Sequence, residues 1–131
     1  MDIRLINPEN AELLSKVKYY NRHFNKRRLY FVFDDPQLER IVTLNTCLLG
    51  SHGIPPKHLL FYMLVGYDTV FEQDMRRFKV LDALHALPFV MLYHKHDPKL
   101  NRFARWVNRR YYKVVPFEKF RGRRLLETET K

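Results

Sequence analysis

A single cysteine, Cys47, in 131 residues excludes a disulfide framework and every all-cysteine zinc site or iron-sulfur cluster held by this chain alone. Glycine is scarce as well, with four residues, and no GxGxxG, Walker-type loop or Ser-His-Asp spacing occurs. No apolar run approaches the ~20 residues a bilayer span requires, and the first dozen residues, MDIRLINPENAE, are polar and acidic. The expectation is a soluble protein of a reducing cytoplasm, without membrane association. What is present is a 46% hydrophobic, 15% aromatic composition. On a chain of this length that suffices for one domain burying roughly two-thirds of its unfolded surface.

Short apolar runs alternate with longer helical patterns. The short runs are Ile3 to Ile6, Leu29 to Phe33, Leu59 to Val65 and Pro88 to Tyr93, with starts 26, 30 and 29 residues apart. That spacing is close to the ~30 residues of one strand-helix unit. The last three runs are apolar almost throughout, as strands covered on both faces are. Four right-handed units in series predict an α/β fold, either half a barrel or a small open parallel sheet.

Helix boundaries carry their own signals. Asn7-Pro8 opens a helix with Leu13, Leu14, Val17, Tyr20 and Phe24 on one face. Asp34-Asp35-Pro36 places a capping carboxylate before a proline, ahead of a helix burying Leu38, Ile41, Val42, Asn45, Leu48 and Leu49. Gly50 or Gly53 stops that helix, and Pro55-Pro56 leads extended chain into the next strand. Asp68 or Thr69 caps a third helix carrying Phe71, Met75, Phe78, Leu81 and Leu84. A fourth runs from about Lys99 to Arg110 with Leu100, Phe103, Ala104 and Val107 inward. Helical period is lost after Tyr111, so the domain is read as residues 1–111, with 112–131 a basic tail packing on it or leaving it.

The net charge of +10 is unevenly spread: residues 1–98 hold 13 Lys and Arg against 11 Asp and Glu, whereas residues 99–131 hold 11 against 3. Arg102, Arg105, Arg109, Arg110, Lys113, Lys119, Arg121, Arg123 and Arg124 alternate with Phe103, Trp106, Tyr111, Tyr112, Phe117 and Phe120. Such interleaving serves phosphate contact with base stacking. It equally serves aromatic packing under a solvated cationic face that meets an acidic partner. No nucleic-acid motif accompanies it, which favours the packing reading.

In parallel strand-helix folds the functional rim lies at the carboxyl ends of the strands. The residues there are Asn7, Asp34-Asp35, Gly66-Tyr67-Asp68-Thr69 and Tyr93-His94-Lys95-His96-Asp97. Asp34 suits the hydroxyls of a ribose, while Asp35 reads as a helix cap. Gly66 permits either close ligand approach or a tight turn. His94, His96 and Asp97 have the donor types of a metal site, but read more simply as an exposed loop. Cys47, with no activating neighbour in sequence, reads as an inert, half-buried thiol. The residues therefore define a rim for a small polar ligand, with no catalytic or metal-ligating set.

The succession IRLINPENAELL, LYFVFDDP, HGIPPKHLLFYMLVGYDTVFEQDMRRFKVLDAL and LPFVMLYHKHDPKLNRFARWVNRRYYK resembles the later part of the core domain of radical S-adenosylmethionine (SAM) enzymes. The resemblance runs over residues 2 to 120. It implies a partial (β/α) barrel in which these units are the third to sixth of six. It also implies cofactor-binding positions: Asp34 at the ribose, Gly66, Tyr67 and Asp68 near the adenine and amino-acid portion, and Leu92, Tyr93 and His94 packing on adenine. The family's [4Fe-4S] cluster is held by three cysteines separated by three and then two residues. This chain lacks that loop, so the resemblance implies a nucleoside pocket without the electron donor for radical chemistry.

Three functions follow as expectations. The first is a C-terminal fragment or separately encoded half of a radical SAM enzyme, inactive alone and partnered by an N-terminal half with the cluster loop. The second is a non-catalytic basic adaptor that binds nucleic acid or an acidic protein through residues 99–131. The third is self-association through exposed strand edges.

Overall fold

The computed structural model describes residues 1–17 and 27–121. Three of the four short apolar runs are strands: β1 (Leu29–Val32), β2 (Leu59–Val65) and β3 (Leu87–Leu92) form one parallel sheet in the order β1-β2-β3. Its register sets Val32 beside Tyr62 and Tyr62 beside Phe89. Helices α1 (Pro8–Lys16), α2 (Glu39–Ser51), α3 (Phe71–Ala83) and α4 (Pro98–Asn108) flank it. The fold is α/β, as the strand-helix rhythm predicts.

The first apolar run is a correction. Ile3–Leu5 forms a 3-10 turn instead of a strand, started by Asp2, whose carboxylate accepts from the Arg4 amide at 2.9 Å. The run buries Ile3 and Ile6, three residues apart, and exposes Leu5. That is the period of a 3-10 turn, whereas a strand sets Ile3 and Leu5 on one face. Asn45 of α2 fixes the turn by donating to the Ile3 carbonyl at 2.8 Å.

Sequential strand order with right-handed crossovers puts α2 and α3 on one face of the sheet. α4 joins them there: Phe103 and Trp106 lie 6.2 and 4.9 Å from Phe78 of α3, between ring centroids. Beneath these helices Leu29, Phe31, Leu59, Phe61, Met63, Val65 and Val90 are all buried. Each such side chain contributes about 1.5–3 kcal/mol of transfer free energy. The opposite face is as apolar, with Tyr30, Tyr62 and Phe89 in a row across the strands at 6.0 and 5.7 Å. Yet Val32, Phe89 and Met91 are 46%, 39% and 48% exposed there. The strand composition predicts cover on both faces; among the described residues only one face is covered.

Local chemistry explains most helix ends. Asn7 and Asn10 exchange reciprocal side-chain bonds with each other's amides at 2.9 and 2.8 Å, starting α1. The buried residue of α1 is Ala11, while Leu13 and Val17 are exposed, and α1 packs on α2. Its expected face is therefore displaced, and Tyr20 and Phe24 lie outside the described residues. Asp35 accepts from the Gln37 amide at 2.9 Å at the head of a 3-10 turn, Pro36–Leu38, that runs into α2. Gly53, at φ 88°, ends α2 with Ile54 donating to the Leu49 carbonyl at 3.0 Å.

The N-cap of α3 is Val70, one residue beyond the expected caps, and its amide donates to Gln73 Oε1 at 3.0 Å. Asp97 caps α4, accepting from the Lys99 and Leu100 amides at 2.9 and 3.1 Å. The four residues expected inward on α4 are all buried, together with Trp106. The following segment is irregular but packed, with Phe117 and Phe120 buried; Gly122, Arg123 and Arg124 lie outside the described residues.

The outer edge of β3 is partly occupied. Tyr93 donates to the Val65 carbonyl at 3.2 Å, so the alternate residues Pro88, Val90 and Leu92 turn their main-chain groups outward. Pro88 has no N–H. Asn108 takes both groups of Val90, accepting from its amide at 2.7 Å and donating to its carbonyl at 3.0 Å. No helix among the described residues is long and apolar enough to cross a membrane.

Candidate functional site

The ladder between β1 and β2 parts at its carboxyl end. Phe33 still donates to the Tyr62 carbonyl at 2.8 Å, but the next rung is broken. Leu64 donates instead to Asp34 Oδ1 at 2.7 Å. Arg77 of α3 fills the gap from below, donating to the Phe33 carbonyl at 2.6 Å and to the Leu64 carbonyl at 2.9 Å. Its charge is met by Asp74, with Nη2 and Oδ1 2.6 Å apart and both side chains 1% exposed. Thr69 donates to the same Asp74 oxygen at 2.5 Å. A side-chain network thus replaces backbone pairing where the strands separate.

Above this network lies a crevice of about 450 Å³, walled by Asp34, Asp35, Pro36 and Gln37 on one side. Leu64, Tyr67, Asp68, Thr69 and Gln73 form the other. The crevice sits at the carboxyl ends of the strands, where strand-end geometry predicts a rim. Three carboxylates line it and, among the described residues, no Lys, Arg or His does. Asp34 has one oxygen committed to Leu64, and Oδ2 has no hydrogen-bond partner among the described residues. Asp35 is a turn cap, as its sequence context predicts.

Tyr67, Tyr93 and His94 form an exposed aromatic group beside the crevice. Tyr67 meets Tyr93 at 4.6 Å and Tyr93 meets His94 at 4.8 Å, both edge to face. Of the predicted positions, Asp34, Tyr67 and Asp68 line the crevice directly. Tyr93 and His94 join it through Tyr67.

Gly66 meets a packing demand: its φ is 78°, and a Cβ there falls 2.5 Å from Leu100 Cδ1. Gly66→Ala is expected to lower stability by about 2 kcal/mol through the left-handed backbone and the clash. Pairing it with Leu100→Ala relieves only the steric part. Urea unfolding of the singles and the double separates the two contributions.

Other candidates resolve simply. Among the described residues no three His, Cys, Asp or Glu side chains gather in a metal-holding group, and Asp97 of the His94–Asp97 loop is occupied as a helix cap. Cys47 is exposed on α2, not half-buried. One cysteine supplies one of the three thiolates a [4Fe-4S] cluster of the expected kind needs, so this chain does not fit that cluster. The Asp74–Arg77 pair and Gln73 are the site elements that the apolar pattern passes over. Comparison with known proteins finds no match to a family model, a curated protein or a solved structure.

Proposed function

We propose that this chain is the nucleoside-binding C-terminal part of a radical SAM-type core, with its strand-helix units forming one wall of a partial (β/α) barrel. The bare sheet face is then the barrel interior, and a partner supplies the missing units and the cluster loop. In this reading the chain binds S-adenosylmethionine but does no radical chemistry alone. Asp34 Oδ2 and Asp68 accept from ribose hydroxyls, and adenine lies against Tyr67 and Tyr93.

The observation that carries the reading is the charge of the crevice. Three carboxylates without a cation repel a phosphate but suit a nucleoside bearing positive charge, such as a sulfonium and an α-amine. A volume of about 450 Å³ also falls within the ordinary range for small-molecule pockets.

Calorimetric titration with S-adenosylmethionine, adenosine and AMP tests it. S-adenosylmethionine is expected to bind at least about tenfold more tightly than AMP, a difference of about 1.4 kcal/mol. Asp34→Asn keeps an oxygen for the Leu64 amide, so it is expected to weaken nucleoside binding without unfolding the chain. Equal or tighter binding of AMP sinks the proposal, as does binding indifferent to Asp34→Asn.

A further inference from the structure

A second depression, a groove of about 790 Å³, is lined by α3, α4 and the segment 116–118. Its floor is apolar. Phe71 and Trp106 pack on Phe117 at 5.5 and 5.3 Å between centroids, and Met75 lies alongside. Its walls are cationic: Arg76 and Lys79 stand one turn apart on α3, facing Lys99 and Arg102 one turn apart on α4. The wall from Phe71 to Lys79 runs ~12 Å at helical rise.

Three of these cations have no carboxylate partner among the described residues. Arg76 is bound by Glu39, with its Nε and Nη2 2.9 and 2.8 Å from the two oxygens; that hydrogen bonding holds the Glu39 carboxyl below its usual range. Lys99 Nζ instead lies 4.0 Å from the Phe71 ring centroid and Arg102 Cζ 4.4 Å from that of Phe117. Arg102 Nε is buried without a hydrogen-bond partner. Lys79 on one side and Lys99 and Arg102 on the other outnumber Glu72 and Glu118, which also line the groove, while Arg76 is paired with Glu39, so a net positive charge flanks the apolar floor.

We propose that this groove docks an acidic amphipathic helix of a protein partner. About two turns fit its length, with an apolar stripe on Phe71 and Met75 and flanking carboxylates on Lys79, Lys99 and Arg102. Met75, unbranched and only partly buried, adapts the floor to the incoming side chains. Single-stranded nucleic acid fits less well: Trp106 and Phe117 are only 5% and 7% exposed, so they offer no ring face for base stacking. Of the interleaved residues 99–120, Trp106 and Phe117 thus belong to the packed aromatic floor and Lys99 and Arg102 to the cationic rim. This docking is independent of what the strand-end crevice binds.

The test is fluorescence anisotropy on the full chain with three labelled probes. These are a twelve-residue helical peptide with leucines at positions 1, 4, 5 and 8 and glutamates beside them, the same peptide with lysines for the glutamates, and a twelve-nucleotide single-stranded DNA. The acidic peptide is expected to bind at least about tenfold more tightly than the basic one. Lys79→Glu/Lys99→Glu is expected to remove that preference, and Met75→Asp to weaken binding of the acidic peptide. Lys79 and Lys99 are exposed, so their replacement leaves the core intact; thermal unfolding checks this, and the milder Lys79→Gln/Lys99→Gln pair repeats the measurement. Equal binding of both peptides overturns the proposal. So does acidic-peptide binding indifferent to the lysine replacements, or binding of the DNA alone.

Discussion

Arg77→Met is expected to destabilise the fold by about 3–5 kcal/mol, the range for removing one member of a buried ion pair. The substitution leaves Asp74 without its cationic partner in a site where its side chain is 1% exposed. It also strips the Phe33 and Leu64 carbonyls of donors held at 2.6 and 2.9 Å. Arg77→Lys is no remedy. One ammonium lacks the planar fork that reaches Asp74 and two divergent carbonyls together. Adding Asp74→Asn to the methionine variant removes the stranded carboxyl group and is expected to recover part of the loss. Urea midpoints of the three proteins, compared at constant slope, measure this. If the single variant loses under 1 kcal/mol, the pair is not what joins the strand ends.

Phe103→Ala is expected to cost a similar amount, about 3–5 kcal/mol, through the cavity it opens. Phe103 is fully buried. Its ring stands 5.3 Å from Phe71, 6.2 Å from Trp106 and 5.7 Å from Phe117, tying α3, α4 and the terminal segment together. Phe103→Leu keeps most of the volume and is expected to cost only about 1.5 kcal/mol. Trp106, the sole tryptophan, reports the transition by fluorescence. A larger loss for leucine than for alanine contradicts the cavity argument. Because Phe71 and Phe117 also line the α3–α4 groove, the alanine variant is expected to weaken acidic-peptide binding as well.

The sequence is most legible where local chemistry decides the structure. Strong apolar runs locate all three strands, and Asn7-Pro8 locates the start of α1. Asp97-Pro98 carries the same cap-then-proline signal as Asp35-Pro36, but Asp97 is read from sequence only as part of an exposed loop, and its cap emerges from the structure. The strand-end rim follows from topology alone, which is why Asp34, Tyr67 and Asp68 are readable as neighbours despite distant sequence positions.

What is not legible depends on tertiary context. The stripe of α3 that faces the sheet is Asp74, Arg77, Phe78 and Leu81, a perfectly helical spacing. Two of its members are charged, so a search for apolar periodicity selects Phe71 and Met75 instead. Gly66 is ambiguous for a related reason. A glycine at a strand end serves a ligand or a packing neighbour equally well, and the packing demand shows only in the position of Leu100. The Ile3–Ile6 run is too short to distinguish period two from period three, and Asn45, 42 residues away from Ile3, settles it.

The amide of Asn108, set against Val90 beside a proline, also limits how copies of this chain can combine. Unending filaments arise when one end of a unit fits the other end of the next, each addition exposing a fresh copy of the same junction. In β3, Pro88 has no N–H to offer such a junction and both main-chain groups of Val90 are already taken by Asn108, so a strand added at that edge forgoes the hydrogen bonds those groups would otherwise make.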